Sequence, residues 1–186
     1  LYVGRFSQLT QIKGQDILVE AFKKFYKNNK DWELILAGGV EVGAKEFVNK
    51  LEKEAKGYPI AIIKSPSFAD IKDLYGRAKI FWSASGYGVN EKAHPKKVEH
   101  FGISLVEAMT AGCAPVVYCA GGYKEIVADG ENGFLWKKIP NLVKITGSLV
   151  SNPGRIKEVA FTARESVKVY EYPRFETEVL TLINKC

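Results

Sequence analysis

The chain has 186 residues, 46% of them hydrophobic, and a formal net charge of +6 at pH 7. This length is sufficient for one domain with a well-developed hydrophobic core. No apolar segment reaches the roughly 18 residues that a membrane-spanning helix needs, so the composition predicts a soluble or peripheral protein. Because Leu1 already lies in an apolar, strand-like segment, we expect the chain to be part of a larger protein.

Apolar segments alternate with amphipathic ones along the chain. The apolar segments predict strands over 1–6, 32–39, 60–64, 80–85, 114–120 and 133–136. Helical spacing predicts helices over 14–29, 45–56 and 70–78 and from about 102, with a polar loop at 86–98, a turn at 121–127 and a helical tail at 141–185. This alternation predicts a single α/β domain with a doubly wound parallel sheet, whose ligands bind at the carboxyl ends of the strands.

The positive charge suggests an anionic partner, but its distribution argues against nucleic acid. Nucleic-acid-binding surfaces usually carry a compact basic stripe with interleaved aromatic residues. Here the lysines are dispersed over several predicted helices and loops: Lys23, Lys24, Lys27, Lys50, Lys53, Lys137 and Lys138. We therefore expect no nucleic-acid partner, and solvated helix faces account for most of the charge.

The cysteines and histidines predict no metal site. Cys113, Cys119 and Cys186 are odd in number and lack the spacing of metal ligands, which favours a reducing compartment. His94 lies in a lysine-rich loop and His100 follows an acid, and neither has further ligands at suitable spacing. Ordinary surface or supporting roles are the better interpretation of both.

The segment EHFGISLVEAM, residues 99–109, places Glu99 and Glu107 on either side of a predicted helix start. The spacing of Ile103, Val106 and Thr110 predicts the buried face of this helix, with Glu107 on a different side. Either Gly102 or Ser104 is a candidate cap. The alternative for each acid is an acidic first turn that complements the helix dipole.

The same helix start has the chemistry of an anion site. The free amides of Gly102, Ile103 and Ser104 suit phosphate or sugar oxygens, and the two carboxylates suit hydroxyl donors. Arg5 at a strand end and Lys13 at the next helix start form a second candidate, a diphosphate clamp. The alternative for this pair is solvated surface charge.

Several well-known motifs are absent from the sequence. There is no Gly-x4-Gly-Lys-Ser/Thr phosphate loop, no Gly-x-Gly-x-x-Gly after the first strand and no Gly-x-Ser-x-Gly elbow. Kinase, dehydrogenase and esterase functions therefore lose their main support.

Taken in order, VGRF, KGQDILVEAF, WELILAGG, ADIKDLYGRAKIFWSAS and EHFGISLVEAMTAGCAPVVYCAGGYKEIVADGENGFLW form a familiar pattern. From Val3 to Trp136 it resembles the C-terminal, donor-binding domain of retaining GT-B glycosyltransferases of the "glycosyl transferases group one" family. The resemblance implies a Rossmann-like domain, the C-terminal half of a GT-B fold. It also implies transfer of a hexose from a UDP- or GDP-sugar to a glycan or lipid-linked acceptor, with no metal or other cofactor.

The resemblance also assigns residues. It implies three catalytic residues, with Arg5 and Lys13 at the diphosphate and Glu99 beside the transferred sugar. It also implies that Gly4 contacts the donor and that Glu107 accepts the ribose hydroxyls. It matches other positions to donor contacts, namely Phe101, Gly102, Ile103 and Ser104 at sugar and phosphate oxygens, Pro66 and Ser67 at the base, and Lys72 near the phosphates.

The resemblance further implies that the N-terminal acceptor domain lies outside these residues. We therefore expect the isolated chain to fold but to transfer no sugar. We also expect the full-length protein to be cytoplasmic and to contact the inner face of the membrane peripherally, through regions outside this chain.

Two other functions remain as alternatives, and one segment departs from the family pattern. A carboxylate pair also serves glycosidases, although that chemistry has no need of the Arg5 and Lys13 pair or of the helix start. A non-catalytic nucleotide-sugar or polyanion-binding module would use the same clamp for recognition only. The 86–98 loop is longer than in many family members and either shapes the acceptor side or is a solvated excursion.

Overall fold

Helices and strands alternate in the computed structural model, which describes residues 1–7 and 11–183. The strands are β1 (Tyr2–Val3), β2 (Leu34–Gly38), β3 (Ile60–Lys64), β4 (Ile80–Ser83), β5 (Ala114–Tyr118) and β6 (Phe134–Trp136). The helices are α1 (Gln15–Tyr26), α2 (Lys45–Ala55), α3 (Phe68–Arg77), α4 (Ile103–Thr110), α5 (Tyr123–Ile126), α6 (Ile139–Val150), α7 (Pro153–Ser166) and α8 (Tyr172–Ile183).

All strand pairs are parallel. They form two three-stranded sheets, in the orders β1-β2-β3 and β4-β5-β6. Leu1 joins the two, because its N donates to the Ile80 carbonyl at 3.0 Å and its carbonyl accepts from Trp82 N at 2.8 Å. The resulting order β3-β2-β1-β4-β5-β6 confirms the predicted doubly wound, Rossmann-like sheet and places its switch point between β1 and β4.

The core lies between the sheet and its helices. Helix α1 packs Leu18, Phe22 and Phe25 against the sheet, and the Phe25 ring meets Trp82 of β4 edge-on at 6.0 Å between centroids. Burial of each such side chain is worth about 1.5 to 3 kcal/mol. This packing fixes the start of α1 at the carboxyl edge of the sheet, beside the loop that follows β1.

The predicted boundaries hold within about three residues except for the first strand, which was predicted over 1–6 and is observed as Tyr2–Val3. The 121–127 turn contains the short helix α5, and the 86–98 loop contains a 3-10 turn at Pro95–Lys97. The helical tail is confirmed as α6, α7, a 3-10 turn at Val167–Tyr170, and α8. Its predicted last residues and Cys186 lie outside the described part of the chain. No helix within residues 1–7 and 11–183 is long and apolar enough to cross a membrane.

The predicted buried face of α4 is wrong. Ile103 is 68% exposed and Thr110 is also exposed, whereas the helix buries Leu105, Ala108 and Met109. Both sides of this short helix carry apolar residues, so spacing alone does not distinguish the packed side. As a consequence, Glu107 lies on the same open side as Ile103, one helical turn further on, and not on a different side as predicted.

Two glycines set the starts of the helices that border the site. Gly14 precedes α1 with φ +67°, and a Cβ there would lie 2.7 Å from the Ala84 carbonyl oxygen. Gly102 precedes α4 with φ +106°, and a Cβ there would lie 2.7 Å from the Tyr123 ring. Any other residue would be strained at both positions. Gly102 is thus the cap of α4, and Ser104 lies inside the helix.

Candidate functional site

A direct ion pair joins the two helix starts. Lys13 lies one residue before the cap of α1, and its Nζ is 2.8 Å from Glu99 Oε2 in the segment that leads into α4. The two side chains are only 11% and 15% exposed. The predicted diphosphate cation and the predicted sugar-binding carboxylate are therefore in contact.

Gln11 is a neighbour of this pair that the sequence did not reveal. Its Oε1 accepts from Lys13 Nζ at 2.7 Å, and its Nε2 donates to the Val98 carbonyl at 3.2 Å. One amide side chain thus connects the lysine to the end of the 86–98 loop. A glutamine in a polar segment gives no signal of such a role, because the contact spans 87 residues.

Arg5 is placed differently from Lys13. Its side chain is 62% exposed, and Nη1 is 3.4 Å from Glu41 Oε1, a weak surface contact. The backbone is held more firmly, since Gln15 Nε2 donates to the Arg5 carbonyl at 2.8 Å and Gly4 N donates to the Ala37 carbonyl at 2.9 Å. The guanidinium is thus tethered at the edge of the sheet and is free to turn toward an anion.

The turn before α4 supplies backbone donors. The first amides of a helix have no acceptor within the helix, and in α4 these belong to Gly102, Ile103 and Ser104. The Phe101 side chain before this turn packs elsewhere, because its ring meets the ring of Tyr170 in the tail at 5.1 Å between centroids. The tail therefore packs against this turn and leaves its amides at the carboxyl edge.

Glu107 lies in a neighbouring cleft of about 470 Å³ between α3 and α4, which Phe68, Lys72 and Val106 also line. The Tyr75 hydroxyl donates to Glu107 Oε2 at 2.9 Å and lies 3.1 Å from the Ser104 carbonyl. Burial, reinforced by Glu107, raises the pKa of Tyr75, so the hydroxyl stays protonated and orients the carboxylate. Sequence reasoning missed Tyr75.

The segment predicted to contact the nucleotide base, Pro66 and Ser67, has fewer free backbone groups than expected. Ser67 caps α3, and its N and Oγ both donate to Asp70 Oδ2, at 2.9 and 2.6 Å. Its N–H is therefore already used, and its carbonyl accepts from Ile71 N at 3.0 Å. Pro66 has no N–H, so its carbonyl is the backbone group left for recognition in this pair. Lys72 lines the cleft beside Glu107, and its predicted approach to the phosphates stays a prediction.

Metal ligands do not gather at this edge or elsewhere in the described ranges. Across residues 1–7 and 11–183, no group of three or more His, Cys, Asp or Glu side chains could hold a metal ion. His94 and His100 are both exposed. The predicted absence of a metal cofactor stays a prediction.

Three buried tyrosines predict a loss of stability at high pH. Burial raises the pKa of Tyr2, Tyr75 and Tyr123, and the Tyr123 hydroxyl lies 2.8 Å from Ser83 Oγ. Above about pH 10 these tyrosines lose their protons in the unfolded chain but retain them in the folded chain, so their contribution to stability is full below pH 10 and falls as the pH rises beyond it. Each tyrosine contributes a slope of up to about 1.4 kcal/mol per pH unit.

Urea unfolding between pH 8 and 11.5 measures this slope. We expect Tyr75→Phe to reduce it, because phenylalanine has no proton to lose, whereas Tyr172→Phe, at an exposed position, should leave it unchanged. A free energy of unfolding that stays constant up to pH 11.5 in the unmodified chain would contradict the prediction.

Comparison with known proteins identifies the family of the chain. The family model described as glycosyl transferases group 1 matches residues 1–151. The chain belongs to this family. The match includes both helix starts, the α3/α4 cleft and the 86–98 loop, and it confirms the resemblance found in the sequence.

Two curated glycosyltransferases are similar in sequence to this chain. The lipopolysaccharide core biosynthesis mannosyltransferase LpcC of Rhizobium leguminosarum bv. viciae is 29% identical over 133 residues, 70% of this chain and 35% of its own length. The alpha-monoglucosyldiacylglycerol synthase of Acholeplasma laidlawii is 29% identical over 176 residues, 90% of this chain and 40% of its own length. The chain thus spans well under half of either relative.

A solved GT-B structure shares the fold. The Anabaena protein Alr3699/HepE, crystallised with UDP-glucose, superposes with a TM-score of 0.78 at 23% identity. The superposition covers all of this chain and 49% of HepE. The group 1 chain therefore has the architecture of one half of such a protein, in agreement with the predicted C-terminal half of a GT-B fold.

Proposed function

We propose that this chain is the donor-binding half of a retaining glycosyltransferase, which transfers a hexose from a nucleoside-diphosphate sugar to a glycan or lipid-linked acceptor. The observation that carries the proposal is the Lys13–Glu99 pair at 2.8 Å, because it brings a cation and a carboxylate to the amides that begin α4. A site of this composition suits a ligand with both an anionic and a hydroxyl-rich part.

The donor would lie across the start of α4. Glu107 is one turn into the helix, roughly 6 Å along its axis from Ile103, and would accept the ribose hydroxyls. The diphosphate would contact the amides of the turn together with Arg5 and Lys13. Glu99, on the far side of that turn, would meet the hexose. In this arrangement the ribose, diphosphate and hexose of the donor would follow one another from Glu107 to Glu99.

The chemistry of the site would be stabilisation of the leaving group. When the bond between the sugar and the diphosphate breaks, negative charge develops on the departing phosphate. Lys13 and the helix amides are fixed donors near that charge, and such groups lower the barrier most when they need no reorganisation. Arg5 would turn toward the phosphate when the donor binds. We propose that this positive charge makes a metal ion unnecessary.

Relatives support UDP as the first donor to test and a lipid-linked or glycan acceptor. HepE was crystallised with UDP-glucose, and the names of the two curated relatives refer to lipopolysaccharide core and to diacylglycerol. Because the chain spans only part of these proteins, we propose that an N-terminal domain supplies the acceptor site. We also propose a cytoplasmic location with peripheral membrane contact through that domain.

A binding panel tests this function. We expect UDP and UDP-glucose to raise the melting temperature and to bind saturably, since a ligand that prefers the native state stabilises it by mass action. GDP, ADP and their sugar conjugates complete the panel and show which nucleotide base the site prefers. Duplex DNA at physiological salt is the control for non-specific attraction to the +6 charge, and it should bind weakly and without saturation. Saturable DNA binding with no effect of any nucleotide would contradict the proposal.

A further inference from the structure

The 86–98 loop is fastened at both ends to the segment that carries Lys13. At its start, Gly86 N donates to the Ile12 carbonyl at 2.8 Å. At its end, the Val98 carbonyl accepts from Gln11 Nε2 at 3.2 Å, and Val98 itself is buried. The loop therefore forms part of the wall beside the Lys13–Glu99 pair. Its two ends are not a solvated excursion.

Glu91 connects the middle of the loop to the segment that contains Gly121 and Lys124. Both of its carboxylate oxygens accept from Lys124 Nζ at 2.8 Å, and Oε1 also accepts from Gly121 N at 3.2 Å. The hydrogen bond from Lys124 is the main cause of a lowered pKa of Glu91, which keeps the carboxylate charged. The side chains are 36% and 42% exposed, so the pair adds little to global stability.

Gly121, which donates to Glu91, and the next residue, Gly122, both lie against the backbone of Glu99. Gly122 N donates to the Glu99 carbonyl at 2.9 Å. A Cβ on Gly121 would lie 2.0 Å from that same carbonyl oxygen, and a Cβ on Gly122 would lie 2.4 Å from the His100 carbonyl oxygen. The Glu99 backbone thus packs directly against Gly121 and Gly122, with no space for a side chain between them.

We propose that Glu91 and Lys124 form a latch that fixes the backbone of Glu99 through Gly121 and Gly122, which makes Glu91 a positioning residue for recognition of the donor sugar. This inference rests on the proposed function, because Glu99 is there the group that meets the hexose. Glu91 itself needs no contact with the donor. Removal of the latch should weaken a nucleotide sugar while leaving the plain nucleotide unaffected.

The test compares Glu91→Ala, Lys124→Ala and the double variant in the full-length protein, with UDP and UDP-glucose as probes. We expect each single change to weaken UDP-glucose roughly 5- to 20-fold and to leave UDP within about twofold. Since both changes break the same Glu91–Lys124 contact, the double variant should bind UDP-glucose no more weakly than the weaker-binding single variant. Glu131→Ala removes an exposed carboxylate elsewhere and should change neither affinity.

Amide hydrogen exchange without ligand provides an independent readout. Each latch variant should exchange faster at Gly121 and Gly122, whose amides donate to Glu91 and to the Glu99 carbonyl, while the melting temperature stays close to that of the unmodified protein. Unchanged exchange in Glu91→Ala, equal losses for UDP and UDP-glucose, or additive losses in the double variant would each overturn the latch. If the unmodified protein bound neither probe, the proposed donor would fail, and the exchange rates alone would decide whether the latch exists.

Discussion

We expect Glu107→Ala to weaken UDP and UDP-glucose alike, by about 10- to 100-fold, and Glu99→Ala to weaken only UDP-glucose. Glu107 is the predicted acceptor for ribose hydroxyls, which both ligands share, and loss of a charged acceptor costs roughly 1.5 to 3 kcal/mol. Glu99 is the predicted contact of the hexose, which only UDP-glucose contains. Calorimetric titration of both variants with both ligands measures the difference.

The structure offers a matched control for this comparison. Glu131→Ala makes the same change of charge outside the two helix starts, so it accounts for long-range attraction of an anionic ligand. If the two glutamates merely complemented a helix dipole, each would contribute only about 0.3 to 1 kcal/mol to stability and nothing to affinity. Equal effects of Glu99→Ala on both ligands would exclude the sugar assignment, and no effect of Glu107→Ala on either would exclude the ribose assignment.

The largest effect on the reaction is expected at Lys13. We predict that Lys13→Met in the full-length protein lowers kcat for sugar transfer by about 100- to 1,000-fold, the usual cost of removing one fixed donor to developing negative charge. Arg5→Met should have a smaller effect, because its side chain is largely exposed and only weakly placed before the donor binds. Single-turnover transfer from UDP-glucose measures both.

Stability must be separated from activity in this variant. Lys13 and Glu99 are nearly buried, so removal of the lysine leaves an uncompensated carboxylate that costs about 3 to 5 kcal/mol at a fully buried site. Lys13→Met with Glu99→Gln removes that charge and should recover most of the lost stability, while its transfer stays well below that of Glu99→Gln alone. Recovery of both stability and transfer in the double variant would show that Lys13 has a structural role only.

Local patterns were enough to predict the sheet and the edge at which the site lies. Alternation of apolar strands and amphipathic helices fixes a parallel sheet, and its carboxyl edge then collects Arg5, Lys13 and the turn at Gly102. The buried face of α4 was not predictable in the same way, because ISLVEAMT carries apolar residues on both sides. Only the packing of Leu105 and Met109 under the sheet decides between them.

The side-chain pairs of the site were beyond sequence reasoning for a different reason. Lys13 meets Glu99 across 86 residues, Tyr75 meets Glu107 across 32 and Glu91 meets Lys124 across 33. No local propensity links such positions, since each pair forms only after the helices have packed on the sheet. The sequence could therefore name the cation and the carboxylates without showing that they are already in contact.

A crystal structure of the chain with UDP-glucose tests the central claim most directly. It should show the ribose hydroxyls at Glu107, the diphosphate against the amides of Gly102, Ile103 and Ser104 with Lys13, and the hexose at Glu99. A nucleotide bound away from the two helix starts, or bound there in the reverse direction with its hexose at Glu107, would contradict it.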